Sequence, residues 1–359
     1  MDARGSELAG GSPQSAGAVN RKRGDWLGSC GQQARRTSTE HPMTPFRIRC
    51  AGALALLATT LLALTPAQAG PLSGLLQRDD QTLRLNIDGH NRKYILHTPA
   101  DYSGGALPLL VVLHGGYGSA ANAQRSLGFD DYADARNFAV AYGEGYRSSW
   151  ADGRGTGPAA EAGVDDRRYL QAIVADAASR LPIDPARVYL AGVSNGGMMS
   201  LRMACETSTP FRAYATVIAN VPEPLAALCA PQAGGALLTI NGVEDPLMPI
   251  DGGDCCGGGL LGQGGRVVSA DASAELFRSA YGCGASPAVE LLPPTVDDGT
   301  WVEHRQWNAC ASGARLQAYR VHGMGHAWPP RRPILPTNGD SSGNLDATRV
   351  IVEFLFGLP

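Results

Sequence analysis

The pentapeptide Gly192-Val193-Ser194-Asn195-Gly196 constrains this chain more than any other stretch. It lies between an apolar run, Arg187 to Ala191, and a helix-compatible run, Gly197 to Cys205, so a strand must enter a sharp turn and a helix must leave it. Small residues two before and two after Ser194 allow that turn, at a backbone geometry that larger side chains would strain. The turn lifts the Ser194 hydroxyl clear of the sheet. In a chain with 46 glycines the bare string reads as readily as an ordinary turn, and it is the flanking strand and helix patterns that favour a nucleophile elbow.

From Leu83 onward, short β-rich runs alternate with helical segments, the pattern of a mostly parallel central sheet with helices on both faces. Leu83 to Ile87 and Lys93 to His97 read as a leading hairpin around Asp88-Gly89. Leu109 to Leu113 is a continuous apolar run suited to a strand buried on both faces. Phe138 to Tyr142, Val188 to Ala191, Leu237 to Asn241 and Leu316 to Val321 complete the strand candidates, with Pro185 closing the turn before the second of these. Apolar residues at Tyr169, Leu170, Ile173, Val174, Ala177 and Leu181 predict a helix over 165–181. Ser269 is placed to cap a helix running to Tyr281, and a terminal helix is expected over 346–356. Asp251 to Gly265, dominated by Gly and Cys, is expected to be loop.

The first 69 residues differ from the rest. Met43 offers a second start, Arg47 and Arg49 a positive segment, Ala51 to Leu64 an apolar core, and Ala67-Gln68-Ala69 a small-residue cleavage site. Residues 43–69 therefore read as a secretory signal peptide, and residues 1–42 as an unstructured upstream extension. The apolar run falls short of the roughly 20 residues a bilayer span needs, so no stable membrane anchor is expected. Residues 70–359 are expected to form a single catalytic domain. Within them acidic groups outnumber basic ones by 29 to 22, which argues against a nucleic-acid partner. Lys93 is the sole lysine after residue 69, so Schiff-base or Ser-Lys chemistry is disfavoured.

Six cysteines follow residue 69: Cys205, Cys229, Cys255, Cys256, Cys283 and Cys310. An even number in an exported chain reads as disulfides. The preferred pairing is Cys205–Cys229 and Cys283–Cys310, leaving Cys255-Cys256 as a vicinal bridge or free thiols; spacing does not choose among about fifteen connectivities. No C-x-x-C pair occurs and the histidines lie elsewhere, so no metal site is expected.

A serine needs a base to become a nucleophile at neutral pH, and the base needs a carboxylate to set its tautomer, in the chain order Ser, Asp, His. Asp245 follows a strand and precedes Pro246; its competing role is turn formation. His326, in Gly323-Met324-Gly325-His326-Ala327-Trp328-Pro329, lies after the last strand and before the terminal helix. His304 and His322 sit in or against strand-like runs, and a His322/His326 metal pair would want a helix that Gly323 and Gly325 oppose. Negative charge developing on a carbonyl oxygen calls for backbone donors, for which Asn195 and Gly116 are the first choices and Tyr117 the second. Trp150 and Trp328, with Tyr117, are candidates for the substrate pocket, core packing being the competing role of the two tryptophans. Trp301 and Trp307 are read as structural, and Asp165 and Asp166 as the start of a helix.

His114-Gly115-Gly116, Arg147-Ser148-Ser149-Trp150, Asp165-Asp166, Ile183-Asp184-Pro185-Ala186-Arg187-Val188-Tyr189, Gly192 to Met199, Glu244-Asp245-Pro246 and Gly325-His326-Ala327-Trp328-Pro329 occur in that order. Together they resemble the polyhydroxybutyrate depolymerase and feruloyl esterase group of secreted α/β-hydrolase esterases, over nearly all of residues 70–359. The resemblance implies an α/β-hydrolase fold, an extracellular or periplasmic location, and Ser194, Asp245 and His326 as nucleophile, acid and base. It also supports the Cys205–Cys229 and Cys283–Cys310 pairing. Depolymerases of this group often have cysteine where this chain has Gly116, and the Cys255-Cys256 insert departs from the family pattern. With no separate substrate-binding domain following the terminal helix, soluble esters are favoured over polymer.

The expectation is a serine carboxylesterase acting on short-chain, hydroxyalkanoate or feruloyl-type esters through an acyl-enzyme, without a cofactor. A serine peptidase of the same fold shares the triad order. A binding protein on a degenerate hydrolase scaffold is the non-enzymatic alternative.

Overall fold

Leu107–Leu113 is buried along its whole length, a condition met only by a strand covered on both faces. In the computed structural model, which describes residues 80–206, 208–257, 262–333 and 336–357, this segment is β3 near the middle of a ten-stranded sheet. The signal peptide and upstream extension expected over 1–69 lie outside the described residues.

The strands are β1 (Gln81–Ile87), β2 (His90–His97), β3, β4 (Ala139–Gly143), β5 (Ile183–Val193), β6 (Ala213–Val217), β7 (Ala236–Gly242), β8 (Gly253–Asp254), β9 (Arg266–Val267), β10 (Ala288–Leu292), β11 (Trp301–Trp307) and β12 (Arg315–His322). The helices are α1 (Ala120–Leu127), α2 (Phe129–Arg136), α3 (Pro158–Glu161), α4 (Asp166–Arg180), α5 (Asn195–Ala204), α6 (Glu223–Ala226), α7 (Ala270–Ala280) and α8 (Ala347–Phe356). In the large sheet the order is β1-β2-β4-β3-β5-β6-β7-β12-β11-β10. The six strands from β4 to β12 run parallel, and antiparallel pairs close both ends.

Side chains alternate across β3 and divide the core. Leu109, Val111 and Leu113 face Tyr169, Leu170 and Ile173 of α4, with Met198 and Leu201 of α5 in the same cluster. Leu110 and Val112 belong to the opposite layer, with Leu127, Phe129, Ile351 and Leu355 from α1, α2 and α8. Each fully buried Leu or Val contributes about 1.5–3 kcal/mol relative to exposure, so the sheet is stabilised from both sides. The expected helix starts have side-chain caps: Asp165 accepts from the N–H of Arg167 and Arg168, Ser269 from Ala272, and Asp346 from Arg349.

Two expectations need correction. Pro185 does not precede its strand: β5 begins at Ile183, and its register against β3 jumps from Leu107↔Ile183 to Leu109↔Val188. The exposed residues between bulge outward, with Asp184 accepting from the Ala186 N–H, so proline removes no ladder bond. The Gly- and Cys-rich segment is likewise not wholly loop, since β8 pairs with β9 in a small ribbon.

Chain order reverses between β3 and β5: β4 lies to one side of β3, and β5 and β6 to the other. Connections leaving the carboxyl ends of neighbouring strands diverge there and open a crevice. The loop after β3 and the turn after β5 border it.

Candidate active site

Ser194 has φ 52° and ψ −120°, the strained geometry of a strand-to-helix elbow, and its N–H donates to Val217 O at 2.9 Å. Glycine is required on either side by close approach. A Cβ on Gly192 would stand 2.2 Å from Gly196 O, and one on Gly196 would stand 2.4 Å from His114 O. The pentapeptide thus presses β5, α5 and the loop after β3 together, with Ser194 at the start of α5.

His326 Nε2 lies 2.9 Å from Ser194 Oγ, and His326 Nδ1 lies 2.7 Å from Asp245 Oδ2. Facing a carboxylate, Nδ1 must carry the hydrogen; Nε2 is then the acceptor that faces the hydroxyl. The other Asp245 oxygen accepts from the N–H groups of Leu247 and Met248, both at 2.8 Å, and the carboxylate is 1% exposed. The loops that carry Asp245 and His326 are laced to each other. Glu244 N–H donates to Met324 O, Gly323 N–H donates to Glu244 Oε2, and His326 N–H donates to Asn338 O. His304 and His322 sit elsewhere, stacked on Tyr319 and Trp301.

The loop after β3 is held by its first residue. His114 Nδ1–H donates to Gly115 O at 2.7 Å, and His114 Nε2 accepts from Gly145 N–H at 2.9 Å, which sets a neutral ring. Burial pushes this imidazole below its ordinary pKa. Gly118 N–H also donates to Gly115 O. In a trans peptide the carbonyl and the next N–H point in opposite directions, so tying back Gly115 O aims Gly116 N–H the other way. Neither that N–H nor the N–H of Asn195 has an acceptor among the described residues, and a Cβ on Gly116 would stand 3.7 Å from Asn195 Cβ. Tyr117 differs: its N–H donates to Ser148 O, which removes it as a donor to a bound oxygen, and its ring is 66% exposed.

The two tryptophans proposed for the pocket belong to the core instead. Trp150 is fully buried, with its indole N–H on His114 O and its ring stacked on Tyr169. Trp328 is buried edge-on to Phe129, and its indole N–H donates to Thr348 Oγ1. A buried indole N–H needs an acceptor, and both found one inside the protein. Trp307 is buried as a structural residue, whereas Trp301 is 42% exposed. Asp165 caps α4 and Asp166 pairs with Arg92 in the interior at 2.6 Å, so both carboxylates have structural partners, as expected of the start of a helix.

Disulfides join Cys205 to Cys229 and Cys283 to Cys310. Cys255 and Cys256 lie outside these two bridges, with their Sγ atoms facing each other. Their segment returns toward the site and brings residues that sequence reasoning passed over. Asn195 Nδ2 donates to Asp152 Oδ2, Asp152 is paired with Arg154 at 2.8 Å, and Arg154 reaches Gly264 O and Gln263 Oε1. A Gln among glycines has no periodicity to mark it. Only the return of the loop reveals its neighbours.

No family model matches the chain. It is 32% identical over 286 residues to a Nocardia uniformis subsp. tsuyamanensis protein named "Putative esterase NocK", covering 76% of this chain and 81% of that one. To feruloyl esterase C of Emericella nidulans it is 29% identical over 214 residues, covering 55% of this chain and 72% of that enzyme. Among solved structures, the acetyl xylan esterase from Aspergillus awamori superposes with a TM-score of 0.52 at 13% identity, over 78% of this chain and all of that one, which bears on fold alone. With a mostly parallel sheet carrying a serine elbow at a strand end, and with these relatives, the chain belongs to the feruloyl-esterase-like family of α/β-hydrolase esterases, carboxylic ester hydrolases.

Proposed function

We propose that the chain is a secreted serine carboxylesterase that works through an acyl-enzyme on soluble esters of short-chain or feruloyl type. The observation that carries the reading is the unbroken hydrogen-bonded series Asp245–His326–Ser194. Ser194 Oγ attacks the ester carbonyl carbon while its proton passes to His326 Nε2, and the negative charge of the tetrahedral intermediate falls between the N–H groups of Gly116 and Asn195. Collapse expels the alcohol, which takes the proton from Nε2. Water then gives a proton to Nε2 as its oxygen attacks the acyl carbon; Ser194 leaves with that proton and the carboxylic acid is released. Asp245 stays ionised and steadies the imidazolium. None of these steps calls for a cofactor.

Two disulfides among the described residues support an oxidising compartment, as does the leader-like pattern over 43–69. No described helix is long and apolar enough to cross a membrane. The feruloyl esterase relative motivates hydroxycinnamoyl esters as test substrates.

Ser194→Ala should abolish hydrolysis of p-nitrophenyl acetate and methyl ferulate and abolish labelling by a fluorophosphonate probe, with the thermal midpoint unchanged within a few degrees. Retention of most activity in that variant defeats the acyl-enzyme reading. A panel of short-chain acyl esters, methyl ferulate, hydroxybutyrate oligomers and peptides ranks the substrate classes.

A further inference from the structure

The site described above supplies two backbone donors to a developing oxyanion, and the following rests on that reading. Gln263 comes from the Gly-rich segment between β8 and β9, far from the elbow in sequence. Its Oε1 accepts from Ser149 Oγ at 3.2 Å and from Arg154 Nη2 at 3.3 Å. A guanidinium only donates, so the amide oxygen must face Arg154 and the amide nitrogen must face away. Orientation is therefore set by the network. The nitrogen is buried and has no hydrogen-bond partner among the described residues. It lies 3.5 Å from where a Cβ on Gly116 would stand, and Asn195 Cβ lies 3.7 Å from the same point. An aimed, buried donor lacking an acceptor is rare in folded proteins unless a ligand completes it.

We propose that Gln263 Nε2 is a third donor to the oxyanion formed on Ser194, a catalytic side chain supplementing the N–H groups of Gly116 and Asn195. Its support is rigid. Arg154, which holds the amide oxygen, is paired with Asp152, and their side chains are 1% and 0% exposed. Asp152 also accepts from Asn195 Nδ2, so one buried network orients both Asn195 and Gln263. A donor held this way needs no reorganisation when negative charge appears, which is the condition for lowering the barrier rather than tightening substrate binding.

The discriminating pair is Gln263→Glu and Gln263→Met in the full chain. Gln263→Glu keeps acceptors for Ser149 and Arg154 but sets an acceptor where a donor stood; Gln263→Met removes both polar atoms at similar length. Each should lower kcat for p-nitrophenyl acetate by about 10²-fold or more, the loss typical of one oxyanion donor, with KM within about threefold of wild type. Affinity for an alkyl boronic acid, which forms a tetrahedral adduct on serine, should fall in parallel. A rise in KM at unchanged kcat would assign Gln263 to ground-state binding and overturn the proposal, as would two variants with wild-type kinetics. If Gln263→Met does not fold, Gln263→Glu decides. Ser194→Ala serves as the separate arm: activity surviving there brings down the acyl-enzyme reading, whereas a dead Ser194→Ala beside fully active Gln263 variants removes only the third donor.

Discussion

Asn195 Nδ2 donates to Asp152 Oδ2 at 2.6 Å, so the residue whose backbone N–H opens beside Ser194 is anchored through its side chain to a buried Asp152–Arg154 pair. Its Oδ1 also accepts from Trp150 N–H at 2.9 Å and its Nδ2 donates to Trp150 O. Asn195→Ala keeps the backbone donor and removes the anchor. The expected result is a loss of about 1–3 kcal/mol of stability, from buried partners left unsatisfied, together with a lower kcat. Urea denaturation and steady-state kinetics on p-nitrophenyl acetate measure both; a variant with wild-type values for each would show that the anchor is dispensable.

Replacing Asp245 tests the tautomer. In Asp245→Asn the amide nitrogen can face His326 Nδ1, which then becomes the acceptor and sends the hydrogen to Nε2, the wrong side for accepting from Ser194. We expect a folded protein whose kcat falls about 10⁴-fold. A decrease below tenfold would mean that another group orients the imidazole.

His114 makes stability depend on pH. Burial holds its folded pKa below the unfolded value, so above about pH 6.5 the ring is neutral in both states and its contribution is fully present. As pH falls below that point the unfolded chain takes up the proton first, and stability is progressively lost. The protonated ring would also point an N–H at Gly145 N–H. His114→Gln should have a flatter dependence of thermal midpoint on pH between about 8 and 5 than wild type. An unchanged slope would place the acid sensitivity elsewhere.

The two disulfides close segments with sequence separations of 24 and 27. In the chain-entropy view each loop of that size stabilises by about 3 kcal/mol through the unfolded state. Cys205→Ala/Cys229→Ala should accordingly lower the midpoint of chemical denaturation while leaving kcat within about twofold, since the cross-link follows α5 rather than bordering Ser194. Loss of activity at full stability would contradict this.

Much was legible locally. Strand and helix positions follow from apolar periodicity, the caps of α4, α7 and α8 from single Asp or Ser residues, and the elbow from two small residues around Ser194. These are short-range effects, decided by backbone sterics and side-chain spacing, and for that reason the sequence by itself determined the α/β layering and the chain order of Ser194, Asp245 and His326. Trp150 and Trp328 show where this reasoning stops. An aromatic in a loop is equally suited to a pocket wall or a core, and the difference is whether its N–H meets His114 O, Thr348 Oγ1 or a ligand. Tyr117 was lost as a donor because Ser148 O, 31 residues on, reached its N–H first. The meeting of Gln263 with Ser149, Arg154 and Gly116 is of the same kind: side chains separated by more than 100 residues find one another only when the sheet has closed. Tertiary structure alone decided which polar groups were satisfied inside the protein and which donors were left without an acceptor among the described residues, because hydrogen-bond partnership depends on proximity in space and a linear pattern records only separation along the chain.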